Sequence, residues 1–422
     1  MTRKPLREKP LPPTFPGAMM IGEEEKKAAL EVLDSKALFR YYGPLGSLNK
    51  TKKFEEEFAK YMGTKYALAV SSGTPALCIA LAAAGIGPGD EVIVPGYTWI
   101  ASALSVVASR AVPVIAEVDR SLTLDPEDFE AKITKRTKAV MPVHMRGIGC
   151  RMDEIMKVAK AHGLTVVEDN AQSCGGEYKG KKLGAIGDIG MFSFQLNKII
   201  TAGEGGALVT NNKELFERCI MVHDVASLRE GPKVWWKFET EPIMGLNYRM
   251  NEISSAILIE QLHKLDKVLG TMRRNKGRIK KGISDIEGIG FRDVPDPEGD
   301  TGICLMFFLP TAEKAQRFAE ALRAENVDGP GYGTHVAYIP GRPDWHVYAY
   351  WEPLLQKRMF TKEGCPFNCS SYKTEVEYSE DMCPNTLHLL SRAVHMDVSP
   401  LLSEDDVDSI IEGVHKVAKK IL

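Results

Sequence analysis

Net charge is nearly absent from this 422-residue chain: 54 Lys and Arg stand against 56 Asp and Glu, leaving −2. A dedicated nucleic-acid binder shows a basic excess, so no nucleic-acid partner is expected. Long hydrophobic runs are missing too. The longest mostly apolar stretch, residues 76–87, falls well short of the ~20 residues a membrane-spanning helix needs, and no membrane partner is expected. The opening MTRKPLREKP is charged and Pro-rich with no apolar segment behind it, so the expectation is a cytoplasmic protein without a secretory signal. Repeats and low-complexity tracts are lacking. So are G-x-G-x-x-G after a strand, G-x-x-x-x-G-K-[ST] and H-E-x-x-H, which argues against a dinucleotide oxidoreductase.

Eight cysteines are scattered along the chain. Without a targeting signal, reduced thiols are the expectation. Cys365, Cys369, Cys383 and His388 could be drawn as a metal site, but C-x3-C-x13-C-x4-H matches no compact zinc template, and no metal is expected.

What is present describes a globular enzyme-sized chain. Apolar residues make up 44% and charged residues 26%, enough to bury a sizeable core. Between residues 66 and 210, β-rich runs at 66–71, 91–95, 112–118, 138–144, 164–168, 190–194 and 206–210 alternate with helix-like stretches such as 74–84, 100–109 and 152–162. This rhythm predicts an α/β fold on a mostly parallel, doubly wound sheet. No helix fits between the last two runs, so one strand there is predicted to be antiparallel. A long helix is expected at 250–269, then a strand at 303–309, a helix at 312–324, a Gly/Pro-rich loop at 328–343 and a closing helix at 401–422 with Ser403 as N-cap. The domains are predicted at 1–270, an N-terminal arm and a large α/β domain, and 271–422, a smaller α+β domain.

Open parallel sheets bind ligands beyond the C-terminal ends of their strands. The first strand ends in Ser71-Ser72-Gly73-Thr74, directly before a helix with Pro75 in its first turn. Small residues there form either an anion site or an ordinary capped turn. The strand at 164–168 runs into Glu168-Asp169-Asn170-Ala171-Gln172. Its carboxylate reads as a structural cap or as the partner of a buried cationic nitrogen. Lys198 sits between apolar neighbours in the short link before Gly203-Glu204-Gly205-Gly206. A sheltered lysine has a depressed pKa and can act as a nucleophilic amine. An anion cradle, an acid and an amine together are what pyridoxal 5′-phosphate requires.

At these residues the chain resembles the DegT/DnrJ/EryC1/StrS sugar aminotransferases, which are fold-type I pyridoxal phosphate enzymes. The matching motifs are Ser72-Gly73-Thr74, Gly89-Asp90-Glu91-Val92-Ile93, Thr98-Trp99, Val143-His144, Glu168-Asp169, Phe192-Ser193-Phe194 with Lys198, Gly203-Glu204-Gly205-Gly206, and Asn247-Tyr248-Arg249-Met250. The resemblance implies a Schiff base on Lys198 and a bond from Asp169 to the pyridine nitrogen. It places Gln172 at the phenolic oxygen, and Ser193, Gly73 and Thr74 at the phosphate. Trp99 would stack on the ring, core packing being the alternative. Asn247 would reach the phosphate of a neighbouring subunit, making a homodimer with shared sites, whereas Arg249 reads as a structural ion pair. Substrate contacts are expected from His144, or else a hydrogen-bonded core histidine, and from Tyr338 and His346. The implied reaction moves an amino group from an amino acid, Glu or Gln, to a keto or aldehyde sugar or cyclitol. A pyridoxal phosphate-dependent dehydratase or aromatase, similar to the aminohydroxybenzoate synthases, is the alternative. A non-catalytic binding module would tend to lose Lys198 or Asp169.

Overall fold

The computed structural model describes residues 4–235, 238–331, 333–360, 364–372 and 376–422. Seven strands build the first sheet: β1 (Tyr66–Val70), β2 (Glu91–Pro95), β3 (Val112–Ala116), β4 (Thr137–Val140), β5 (Thr165–Asp169), β6 (Ile189–Ser193) and β7 (Gly206–Thr210). Their order is β1-β7-β6-β5-β4-β2-β3. All neighbouring pairs are parallel except those of β7, which runs against both β1 and β6. The antiparallel strand expected near residue 206 is therefore this one, because the link from β6 is too short for a crossover.

Helices cover both faces, which is why every residue of β2, β6 and β7 is buried. Side chains alternate between two cores. Leu68, Val70, Met191 and Leu208 pack with Ala76, Leu77 and Ala80 of α1 (Gly73–Ala83). Ala67, Ala69, Phe192 and Phe194 face Phe54 and Phe58 and the long helix α4 (Glu252–Gly282). Truncating Phe58, fully buried with its ring 4.9 Å from that of Phe192, would cost roughly 3–5 kcal/mol. Two further helices matter below: α2 (Ala101–Ala108) after β2, and α3 (Met152–His162) before β5.

A second sheet follows α4: β8 (Gly290–Phe291), β9 (Cys304–Phe308), β10 (His335–Val336) and β11 (Ala393–Asp397), in the order β8-β9-β11-β10 and antiparallel throughout. One face packs Leu305, Phe307, Val394 and Met396 against α5 (Ala312–Ala324) and α6 (Glu404–Ile421). The other carries Cys304 and Met306 onto the core of the first sheet. Ser403 caps α6 through a reciprocal box with Asp406.

Several elements differ from the expectations. The long helix continues to Gly282, so a boundary at 270 falls inside it. Leu258 and Met272 serve the first unit's core and Ile279 the second. The strand expected at 138–144 leaves the ladder after Val140, and only Val143 keeps a bridge, to Asp169. Cys365 and Cys369 are disulfide-bonded rather than free. Cys383 is buried with Sγ 3.8 Å from the Ile115 carbonyl, and exposed His388 pairs with Arg392, so these four do not form one ligand set. The N-terminal arm does not pack as part of the first unit alone. Leu11 lies in the second unit's core and hydrogen-bonds through its N–H to the Asp328 carbonyl at 2.8 Å.

Candidate active site

The C-terminal ends of β1, β2, β5 and β6 open into one cavity of about 420 Å³. At the end of β1, Ser72 is extended and α1 starts at Gly73, leaving the first helical amides without intrahelical acceptors. A Cβ on Gly73 would sit 2.8 Å from the Ser193 Cβ. Only glycine lets the last residue of β6 close against this turn. Gly73, Thr74 and Ser193 thus line the same wall, and amides plus a hydroxyl at a helix N-terminus suit a phosphate.

Asp169 ends β5. Its Oδ2 accepts from the Ser102 hydroxyl at 2.8 Å and its Oδ1 from the Ala171 N–H at 3.1 Å. Ser102 is in turn 2.7 Å from the Thr98 hydroxyl. Burial pushes the Asp169 carboxyl above the usual carboxylate range, against these donors and the nearby charge of Lys198. An interior carboxylate whose charge is disfavoured by burial is suited to a cationic partner.

Lys198 lies in the link from β6 to β7. That link is pinned by Phe194 N–H to Gly205 O at 2.8 Å, Leu196 N–H to Gly203 O at 3.0 Å and the Thr201 hydroxyl to Phe194 O at 2.9 Å. The arm adds a bond from Gly17 N–H to the Lys198 carbonyl at 3.0 Å. A Cβ on Gly17 would sit 2.9 Å from that oxygen, so the approach requires glycine. Burial lowers the amine to about 8; Asp169 and Glu204 oppose the shift, and the Arg146 guanidinium reinforces it.

Gln172 and His346 line this cavity and also a smaller compartment of about 40 Å³ on the far side of Lys198. Trp99 lines the larger one and is 43% exposed, its ring 5.1 Å from that of His346 and 6.0 Å from that of Trp345. It is an aromatic wall rather than core packing. His346 Nδ1 is 2.8 Å from the Asp344 carboxylate, and burial lowers its pKa to about 4. A neutral ring bonded this way carries its proton on Nδ1 and leaves Nε2 as acceptor.

Two sequence-predicted substrate residues are placed elsewhere. His144 is fully buried and engaged at both nitrogens: Cys150 N–H donates to Nδ1 at 3.2 Å, and Nε2 meets Glu168 Oε2 at 2.9 Å. Glu168 also accepts from the N–H groups of Gly184, Ile186 and Gly187 at 2.9, 2.7 and 2.6 Å. This pair ties the loop after β5 to the sheet, on the side away from Asp169. Tyr338 stacks near Tyr350, centroids 5.7 Å apart, against the apolar core, and lines neither compartment. Asn247 also lies outside both; it is exposed and bridges to Asp224. Arg249 is ion-paired with Asp224.

Sequence reading missed Ser102, which no motif marks inside α2. It also missed Arg146, buried at φ +54° in the turn Met145–Gly147 and lining the compartment beside Lys198. Across from it, Cys304, His395 and Asp397 of the second sheet lie within 4.8 Å of one another. Burial pushes the Cys304 thiol up to about 12, so it is not a thiolate.

Residues 19–350 match the DegT/DnrJ/EryC1/StrS aminotransferase family. The chain belongs to this family. It is a pyridoxal phosphate-dependent aminotransferase of fold type I, and the cavity agrees in its cradle, its carboxylate and its lowered lysine. The aminotransferase is 34% identical over 406 residues to the spore coat polysaccharide biosynthesis protein SpsC of Bacillus subtilis, covering 95% of this chain and 96% of that one. It is 36% identical over 386 residues to the L-glutamine:2-deoxy-scyllo-inosose aminotransferase of Streptomyces paromomycinus, covering 89% and 87%. Among solved structures it superposes on 3-amino-5-hydroxybenzoic acid synthase with a TM-score of 0.80 at 28% identity, covering 98% and 100%.

Proposed function

We propose that this enzyme moves an amino group from glutamine or glutamate to a keto or aldehyde carbon of a sugar or cyclitol, as a cytoplasmic homodimer with shared active sites. The observation that carries the reaction is the convergence of Lys198, Asp169 and the Gly73–Thr74–Ser193 cradle on one cavity. The acceptor class rests on the relatives, whose names specify a polysaccharide pathway and a cyclitol ketone. The first sheet would hold the cofactor, and the second, smaller unit would close the acceptor side. No helix among the described residues is long and apolar enough to cross a membrane.

Bound pyridoxal phosphate supplies an electron sink for breaking the donor's Cα–H bond. Gly73, Thr74 and Ser193 would bind its phosphate, Asp169 would hold the proton on its ring nitrogen, and Trp99 would cover a ring face. Gln172, which lines both compartments, would reach the phenolic oxygen. Lys198 Nζ, lowered to about 8, is unprotonated for an appreciable fraction of molecules near neutral pH. It would take the proton from the donor's Cα and deliver it on. His346, which lines this cavity, would face the acceptor.

The test is a half-reaction screen. Enzyme aminated with glutamine is mixed with keto sugars, nucleotide-linked keto sugars and cyclitol ketones, and loss of the amino form is followed. Consumption by one such class with an aminated product supports the proposal; amination of ordinary α-keto acids alone would refute it. The likeness to the benzoate synthase favours dehydration and aromatisation as the second reading. That reading requires loss of water from an already aminated cyclic substrate without any need for a donor.

A further inference from the structure

A second cavity, of about 280 Å³, lies between the C-terminal half of α4 and the chain around β8 and β9, and shares no residue with either compartment at Lys198. Its cationic residues are Arg273, Lys276, Lys280 and Arg292. Lys276 is ion-paired with Asp300, whose other oxygen accepts the Gly302 N–H at 2.8 Å. The other lining carboxylate, Glu298, is exposed.

The two guanidinium groups have no carboxylate partner among the described residues. Arg292, 4% exposed, donates to the Arg146 and Met145 carbonyls at 2.7 and 3.3 Å, while its Nε is buried without a hydrogen-bond partner. Arg273 donates from Nε to the Asp300 carbonyl at 2.6 Å, while its Nη2 is likewise buried and unpartnered. Buried Arg40, by contrast, takes Glu55 in a two-pronged pair at 2.8 and 3.0 Å. A buried cation without a counter-charge is strongly unfavourable, and a guanidinium fork is shaped for oxyanions. Lys280, over the Phe291 ring at 5.2 Å, adds an exposed positive charge to the lining.

We propose that this cavity binds a small polyanion bearing phosphate or carboxylate groups, with Arg273 and Lys280 contacting its oxygens and Arg292 supplying positive charge behind them. The site is separate from the catalytic cavity. Arg292 also holds the Arg146 carbonyl, so an occupant would lie one side chain away from the turn that lines the Lys198 compartment.

The test is calorimetric titration of the cofactor-saturated enzyme with inorganic pyrophosphate in one arm and citrate in the other. Saturation keeps the cofactor's own phosphate cradle filled. One probe ion should bind per chain, and the tighter arm identifies phosphate or carboxylate as the recognised chemistry. Lys280→Ala and Arg273→Gln should each weaken binding about tenfold or more while leaving turnover intact, since neither lines the catalytic cavity. Lys280 is exposed, so its variant keeps the fold. No binding of either probe, or binding unchanged in both variants, overturns the proposal.

Discussion

The Ser102 hydroxyl donates to Asp169 Oδ2 at 2.8 Å, and Ser102 is itself held by Thr98, the residue before the exposed Trp99. The carboxylate proposed to hold the ring proton is therefore positioned by the helix that follows the aromatic wall. Ser102→Ala should lower turnover about tenfold, the scale of one hydrogen bond to a buried charged group. It should also move the pH at which the bound cofactor's absorbance titrates. Asp169→Asn, which removes the charge itself, should cost several orders of magnitude. A Ser102→Ala enzyme with an unchanged absorbance titration would show that the bond only braces the fold.

Lys198 links activity to stability in the cofactor-free protein. Burial holds its amine at about 8 against the usual 10.5. Below pH 8 both folded and unfolded chains carry the proton, and the full burden of a sheltered charge is present. Between about 8 and 10.5 the unfolded chain binds more protons, so stability rises with pH. Cofactor-free Lys198→Met should accordingly melt higher than wild type at pH 7, with the difference narrowing above pH 8 and gone near 10.5. A difference independent of pH would contradict the lowered amine.

Glu168 adjoins Asp169 but serves the opposite face of the strand, where it collects four donors. Glu168→Gln places an amide among N–H groups and should lose about 1–3 kcal/mol of unfolding free energy, read by denaturant titration. The cofactor absorbance of the folded fraction should stay that of wild type. An altered spectrum with unaltered stability would put Glu168 in the cofactor site.

Asn247 is outside its own chain's cavity, as the shared-site proposal needs. Mixing Lys198→Ala with Asn247→Asp homodimers under subunit exchange should restore activity, because one of the two hybrid sites would carry neither lesion. Verified hybrids that remain inactive would place Asn247 in cis.

The cavity wall was legible because Gly73, Asp169 and Ser193 lie at or just past strand ends, and strand ends in a parallel sheet share one side. The helix limits 152–162 and 312–324 matched because both segments have strong helical periodicity and clear ends: Gly163 is left-handed after the first, and Thr311 caps the second. Of the two readings open for His144, the structure shows the hydrogen-bonded core histidine; the chain leaves the sheet after Val140, and no pattern in residues 141–144 says to which side a departing ring turns. Tyr338 and His346 looked equivalent within an irregular, aromatic-rich region; only the packing of Trp345 and His346 against Trp99 distinguishes them. Arg146 was invisible for a different reason. Its position depends on a left-handed turn at a residue other than glycine and on a carbonyl bond from Arg292, 146 residues away.

The N-terminal arm imposes an order of events on synthesis. Leu11 and Thr14 bond to Asp328 and Pro330, and Pro13 accepts from Ser399, while Gly17 holds the Lys198 carbonyl. These arm residues wait for partners made more than three hundred residues later, roughly 15–60 s at ordinary translation speed. Until those partners exist the arm has nothing to bond at Leu11, Pro13 and Thr14, so the Gly17 contact beneath Lys198 gains its outer anchorage only once the second unit has formed.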